Sequence, residues 1–271
     1  MAAMTMCLRS ALGGLAMAAT AVGAWAGEIR HSEVRLLQGE FADGEWSAGV
    51  QIDLAEGWKT YWRMPGEAGI APEFDWSGSH NVADVVVRWP APGRYHDASG
   101  ETVGYAHRVV FPLAVLPENG SEPVELVLEL DYAVCKDICV PARVELRRTL
   151  AQSSAMSSVE AALVRQFEAQ VPRPWAAGVA LKRVHVEEAS GAPVLAVELT
   201  GAAVDASTEI FVEGFERAYF RAPRLVGRSG DAALFHLPVD DLADPGLLRG
   251  ETLRLTVVTA TGALVGDATV E

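Results

Sequence analysis

Two cysteines separated by three residues, Cys135 and Cys139, have the clearest capacity for chemistry in this chain. A thiol pair at short spacing can exchange a disulfide with another protein, pin a hairpin, or supply two ligands of a metal site. The flanking sequence decides how the pair is presented. Before it, Val124, Leu126, Leu128, Leu130, Tyr132 and Val134 alternate with Glu125, Val127, Glu129, Asp131, Ala133 and Cys135. After it, Val140, Ala142, Val144 and Leu146 alternate with Cys139, Pro141, Arg143, Glu145 and Arg147. Both runs carry the two-residue period of half-buried strands. Folded about Asp137 they superimpose as a hairpin: Val134 faces Val140, Tyr132 faces Ala142, Leu130 faces Val144, Asp131 meets Arg143, and Cys135 meets Cys139. Glu129 then opposes Glu145, a like-charge pair that works against this register. The pattern predicts both sulfurs on the polar, outward face, within disulfide reach across Lys136-Asp137-Ile138.

A bridge there closes a loop of five residues, for which chain entropy gives about 2 kcal/mol, against about 4.7 for a loop of 100. A short-range, outward-facing bridge is a weak staple and an accessible one, which favours exchange. Lys136 favours a thiolate at Cys135 while Asp137 opposes it, so thiol acidity stays open at this point. A metal site needs further ligands, and no His lies nearby in sequence; no metal and no cofactor are expected. Exchange, a structural hairpin pin and a metal site remain the three uses, with exchange favoured.

The elements that must hold this hairpin are read from the rest of the chain. It has 271 residues, 50% hydrophobic and 21% charged, a globular composition. Its formal charge of −14 is spread along the sequence, which argues against a nucleic-acid partner. Arg9, the Ala- and Gly-rich stretch 11–24, and Ala24-Trp25-Ala26 read as a cleaved signal peptide over residues 1–26. The mature chain is then exported, with no transmembrane segment and with Cys135 and Cys139 as its cysteines in an oxidising compartment. Trp46, Ala48, Val50, Ile52 and Leu54 alternate as a half-buried strand, and further strands are expected at 34–37, 82–89 and 108–115. Turn punctuation at Pro65-Gly66, Ser77-Gly78, Pro92-Gly93, Ser99-Gly100 and Asn119-Gly120 separates them, as in an antiparallel sandwich. Residues 151–176 read as a helical connector: Ser157 with Glu160 forms a capping-box pattern, Leu163, Val164 and Phe167 an apolar stripe, and Pro172-Arg173-Pro174 a stop. Residues 177–271 hold strands at 179–186, 194–199, 209–212, 233–237 and 252–259. The expected fold class is all-β: an immunoglobulin-like antiparallel sandwich over 27–150, then a second β-rich, sandwich-like domain.

Several stretches together resemble a known family. Gly57-Trp58-Lys59-Thr60-Tyr61-Trp62-Arg63-Met64-Pro65-Gly66-Glu67-Ala68-Gly69 is similar to a signature of the periplasmic N-terminal domain of DsbD and its ScsB-type relatives. Trp89-Pro90-Ala91-Pro92, Gly104-Tyr105, and Val134-Cys135-Lys136-Asp137-Ile138-Cys139-Val140-Pro141 follow in the family's order, so the likeness spans roughly residues 40–150. The three-residue gap resembles the ScsB branch; DsbD itself spaces its cysteines more widely. The resemblance implies an immunoglobulin-like fold and a protein-disulfide reductase component that relays electrons to periplasmic acceptors. It implies that Cys139 forms the mixed disulfide, that Cys135 resolves it, and that Tyr61 stands beside the pair. Tyr95-His96-Asp97 occupies the place of a cap loop, without the Phe the family carries there. His96, Asp97, Tyr105 and Lys136 are the further supporting residues; His96 and His107 are candidate proton carriers. The chain shows neither the membrane domain nor the thioredoxin domain of full-length members. A separate membrane-embedded donor and a thioredoxin-like periplasmic protein are therefore the implied partners. Links to cytochrome c biogenesis and copper tolerance come with the same resemblance. The rivals are an exported β-sandwich binding or assembly protein with a structural disulfide, and a copper-tolerance protein.

Overall fold

The computed structural model describes residues 27–271 other than 30, 68, 98–99, 153–157, 176–178, 190, 216–217 and 243. The expected signal peptide and the Ser157 cap lie outside the described residues. Strands of the first half are β1 Gly27–Ile29, β2 Ser32–Ala42, β3 Glu45–Leu54, β4 Lys59–Gly66, β5 Glu73–Asp75, β6 Asp84–Val87, β7 Gly93–Asp97, β8 Gly100–Ala106, β9 Arg108–Leu116, β10 Val124–Cys135 and β11 Cys139–Leu150. One sheet runs β1-β2-β3-β9-β6; the other runs β11-β10-β4-β8-β7, with β5 also paired to β10. Alternation in these strands sends one set of side chains between the sheets. Trp46, Ala48, Val50 and Ile52 of β3 meet Phe111, Leu113 and Val115 of β9, and Leu126, Leu128, Leu130, Tyr132 and Val134 of β10. Each large apolar side chain buried here contributes about 1.5–3 kcal/mol. Phe111 is the hub, with Phe74, Trp89 and Tyr105 set edge-on around it at 5.4, 5.0 and 5.5 Å.

Helix α1, Ser158–Glu168, closes over the first sheet. Its apolar stripe does what the spacing predicts: Val164 is buried against Leu37 and Val110, with Leu163 and Phe167 alongside. Gly49 lets it come close, since a Cβ there would lie 2.8 Å from Val110 and 3.1 Å from Val164. The Glu160 carboxylate accepts hydrogen bonds from the Gln38 backbone N–H and from Arg148, at 3.1 and 2.9 Å.

The second half adds β12 Arg173–Pro174, β13 Ala180–Ala189, β14 Ala192–Thr200, β15 Glu209–Glu213, β16 Tyr219–Phe220, β17 Arg224–Ser229, β18 Ala232–Asp240, β19 Thr252–Thr259 and β20 Gly262–Thr269. Its sheets run β12-β20-β19-β15 and β13-β14-β18-β16, with β17 on β18. Leu195, Val197, Leu199, Phe235, Leu237, Leu253, Leu255 and Val257 fill the space between them. The all-β, immunoglobulin-like class expected from the sequence is the class observed. β20 has no counterpart among the expected strands, because Gly262 and Gly266 break its apolar pattern. Gly266 is required there: the Trp175 indole occupies the place of its Cβ, 1.6 Å from Nε1.

The two halves touch through an aromatic and ionic seam. Phe211 of β15 is buried in the first core, edge-on to Trp62 at 5.6 Å. Arg63 donates to both carboxylate oxygens of Glu213 at 2.7 Å, and Arg94 donates to Glu209 at 2.9 Å. Among the described residues no helix is long and apolar enough to cross a membrane.

Candidate dithiol site

The hairpin of β10 and β11 has the register read from the sequence, from Val124 opposite Leu150 to Cys135 opposite Cys139. The cysteines form a disulfide, with Cα atoms 4.2 Å apart. The like-charge pair Glu129–Glu145 is relieved by Arg143, which bridges Glu129 and Asp131, and by Arg147 at 2.6 Å from Glu145.

The expectation that both sulfurs lie on an open face requires correction. Cys139 starts the edge strand β11 and is exposed, but Cys135 is 1% exposed. Cys135 ends an inner strand, flanked on its other side by β4 in register with Lys59. Tyr61, two residues further along β4, packs on the same face with Ala133 and buries the inner cysteine. Strand alternation explains why. Thr60 and Trp62 turn inward, where Thr60 donates to the Ala133 carbonyl at 2.9 Å, so Tyr61 turns outward.

Outward here does not mean wet, for Tyr61 is 1% exposed. It faces Gly104, where a Cβ would lie 2.0 Å from the Thr60 carbonyl oxygen. Beyond β4 the chain returns across the ring, and a Cβ on Gly69 would lie 2.7 Å from Tyr61 Cδ1. Held in this slot, the Tyr61 hydroxyl sits 3.0 Å from Cys139 Sγ. A disulfide sulfur carries no proton, so the hydroxyl donates. In the reduced state the same donor favours a thiolate on Cys139.

Two neighbours complete the face: Lys59, to which sequence reasoning assigned no role, and Tyr95, first of the three residues in the cap-loop position. Lys59 Nζ donates to Thr102 Oγ1 at 3.3 Å and stands 5.5 Å from the centre of the Tyr95 ring. Tyr95 leans back over Gly93, where a Cβ would lie 3.1 Å from its hydroxyl. Burial holds the Tyr95 hydroxyl pKa above its ordinary value, against a backbone hydrogen bond from Ala106. The paired glycines Gly93 and Gly104 are the signal in the sequence: they leave room on this face for tyrosine rings.

The remaining sequence-derived residues lie elsewhere. Lys136 folds over Gly57, its ammonium 3.5 Å from the Glu56 carbonyl. His96 is exposed and pairs with Glu101 at 2.8 Å. Tyr105 is on the inner face, donating to the Pro90 carbonyl at 2.8 Å, and burial raises its pKa well above the usual value. His107 is exposed at a turn with φ +62°. The Asp97 side chain lies outside the described residues. Ile138, between the cysteines, is 67% exposed. Among the described residues no group of three or more His, Cys, Asp or Glu side chains could hold a metal ion.

Comparison with known proteins agrees with this geometry. Residues 33–151 match the family described as thiol:disulfide interchange protein DsbD, N-terminal. Residues 170–271 match a domain of unknown function, DUF8393. No curated protein gives a significant match. Among solved structures, the chain is similar to the N-terminal periplasmic domain of ScsB from Proteus mirabilis, at 25% identity and a TM-score of 0.72. That likeness covers 92% of this chain and 97% of the other, so it runs through both halves. With the hairpin, the cysteine pair and the two-sheet sandwich in place, residues 33–151 form a DsbD N-terminal-like domain.

Proposed function

We propose that this protein is a periplasmic thiol–disulfide interchange module that works through Cys135 and Cys139. The observation that carries the reading is the asymmetry of the pair: an exposed Cys139 under a hydroxyl donor, bonded to a buried Cys135. In the reduced protein the Cys139 thiolate attacks a sulfur of the acceptor's disulfide, forming a mixed disulfide and releasing one acceptor thiolate. Cys135, deprotonated in turn, attacks Cys139 Sγ. The acceptor leaves as a dithiol, with two electrons and two protons gained, and the bond between Cys135 and Cys139 is restored. Recharging is the reverse: a donor thiolate attacks exposed Cys139, Cys135 leaves, and a second donor thiol resolves the mixed disulfide.

The ScsB relative is a periplasmic domain, which supports the same location for this chain. The DsbD family supports a thioredoxin-like acceptor and a membrane-linked electron donor. The working division places a signal peptide at 1–26, the exchange domain at 27–150, a connector at 151–176 and a second sandwich at 177–271. The experiment is equilibration with glutathione redox buffers. An exchanging pair has a potential near those of periplasmic partners; a value below about −300 mV is that of a structural disulfide and would reject the reading.

A further inference from the structure

The second half of the chain reaches the disulfide through a short series of contacts. Arg221, which follows β16, donates from Nη2 to Glu67 Oε1 at 2.9 Å and from Nε to Asp240. Glu67 lies at the end of β4, where the chain turns back toward Tyr61. Its backbone N–H donates to the Glu101 carbonyl at 3.2 Å, and its Oε2 accepts from the Glu101 N–H at 3.3 Å. Gly100, at φ +118°, leaves room for that carboxylate, since a Cβ there would lie 2.9 Å from Glu67 Oε2. Two residues beyond Glu67, Gly69 rests on the Tyr61 ring, and the Tyr61 hydroxyl donates to Cys139.

A second anchor holds the same corner. Glu101 is 3% exposed, and Tyr219 of β16 donates to its Oε1 at 2.5 Å. Arg94 donates to the same carboxylate and, at 2.9 and 3.1 Å, to Glu209 and the Ile210 carbonyl. Removing one partner from so buried an ionic cluster leaves an uncompensated charge, so the corner is held in one arrangement. The Tyr61 slot is thus bounded by first-half strands on one side, and on the other by a turn tied to second-half side chains.

We propose that Arg221 and Tyr219 are positioning residues for the dithiol: through Glu67 and Glu101 they hold the turn that presses on Tyr61 and keep its hydroxyl at Cys139 Sγ. This rests on the exchange reading and gives the second half a task within it. Neither side chain touches a sulfur; each acts through the turn.

The test is the pH profile of Cys139 alkylation in the reduced full-length protein, with iodoacetamide as the probe. Arg221→Gln and Glu67→Gln are each expected to slow alkylation at neutral pH by about two- to tenfold, the size of one weakened hydrogen bond, and to move the profile to higher pH. Arg221→Lys is expected to recover part of the loss. In a Tyr61→Phe background the same substitutions should have no further effect, because they act through that hydroxyl. An unchanged profile in Arg221→Gln, or an equal slowing with Tyr61 already replaced, overturns the proposal. Glutathione exchange by the wild-type protein is measured beside it. Its absence rejects the exchange reading, while the alkylation profile still reports on Arg221.

Discussion

The Tyr61 hydroxyl lies 3.0 Å from Cys139 Sγ, while the same side chain is buried in one cluster with Cys135 and Ala133. One side chain thereby makes the two cysteines unequal, shielding one and donating to the other. Hydrogen bonds to a charged group contribute about 1.5–3 kcal/mol, or about one to two pKa units. Tyr61→Phe is therefore expected to raise the Cys139 thiol pKa by that amount in the reduced protein. Thiolate absorbance against pH measures it, and an unchanged titration would remove Tyr61 from the mechanism.

Trapping separates the roles of the sulfurs. Cys135→Ala leaves exposed Cys139 as a lone thiol and is expected to accumulate mixed disulfides with a thioredoxin-like partner. Cys139→Ala leaves only the buried sulfur and is expected to trap far less. Gel analysis under non-reducing conditions compares them, and equal trapping would refute the assignment of attack to Cys139.

Loss of the bridge should leave the fold intact. The loop it closes is small, so replacing both cysteines with alanine is expected to cost no more than about 2 kcal/mol in chemical denaturation. A loss of about 4 kcal/mol or failure to fold would favour the structural disulfide instead.

Acid should loosen the seam between the halves. Burial alone would raise the Glu101 carboxyl, but the Tyr219 hydrogen bond and the Arg94 charge outweigh it and hold the pKa below the ordinary 4.5. A depressed carboxyl stabilises the folded state above its unfolded value and loses that contribution as pH falls through the folded one. Melting temperature is therefore expected to drop below about pH 4.5 more steeply in wild type than in Glu101→Gln, which has no such proton to take up. Parallel curves would show that Glu101 carries none of the acid sensitivity.

Gly104→Ala tests the close approach that makes the Tyr61 slot. Its Cβ would collide with the Thr60 carbonyl in an inner strand pair. Overpacking of this kind costs about 1–3 kcal/mol. Denaturation of the variant, with Cys139 alkylation read in parallel, should show both a stability loss and an altered thiol.

Much of the site was legible because it is local. Alternation alone placed Val134 opposite Val140 and Cys135 opposite Cys139, and the Trp-rich signature brought in Tyr61. The burial of Cys135 was not legible, because alternation within β10 says nothing of what β4 lays over its outer face. The part of Lys59 was hidden for the same reason, and so was its approach to Tyr95, both depending on the order β10-β4-β8-β7. The roles of Glu101, Tyr219 and Arg221 come from contacts spanning more than a hundred residues, which no local period encodes.

The hairpin also sets an order of events in folding. Contacts between Val134 and Val140 or Cys135 and Cys139 are local, and hairpins form in about 1–10 μs, whereas sandwich pairings of distant strands take about milliseconds to seconds. Tyr61 lies 78 residues from Cys139 in the chain, and Arg221 lies 154 from Glu67. The two sulfurs are therefore expected to meet before the hydroxyl and its supports arrive. The register that brings the cysteines within bonding range is local to the hairpin, whereas the contacts that distinguish one sulfur from the other need the completed tertiary structure.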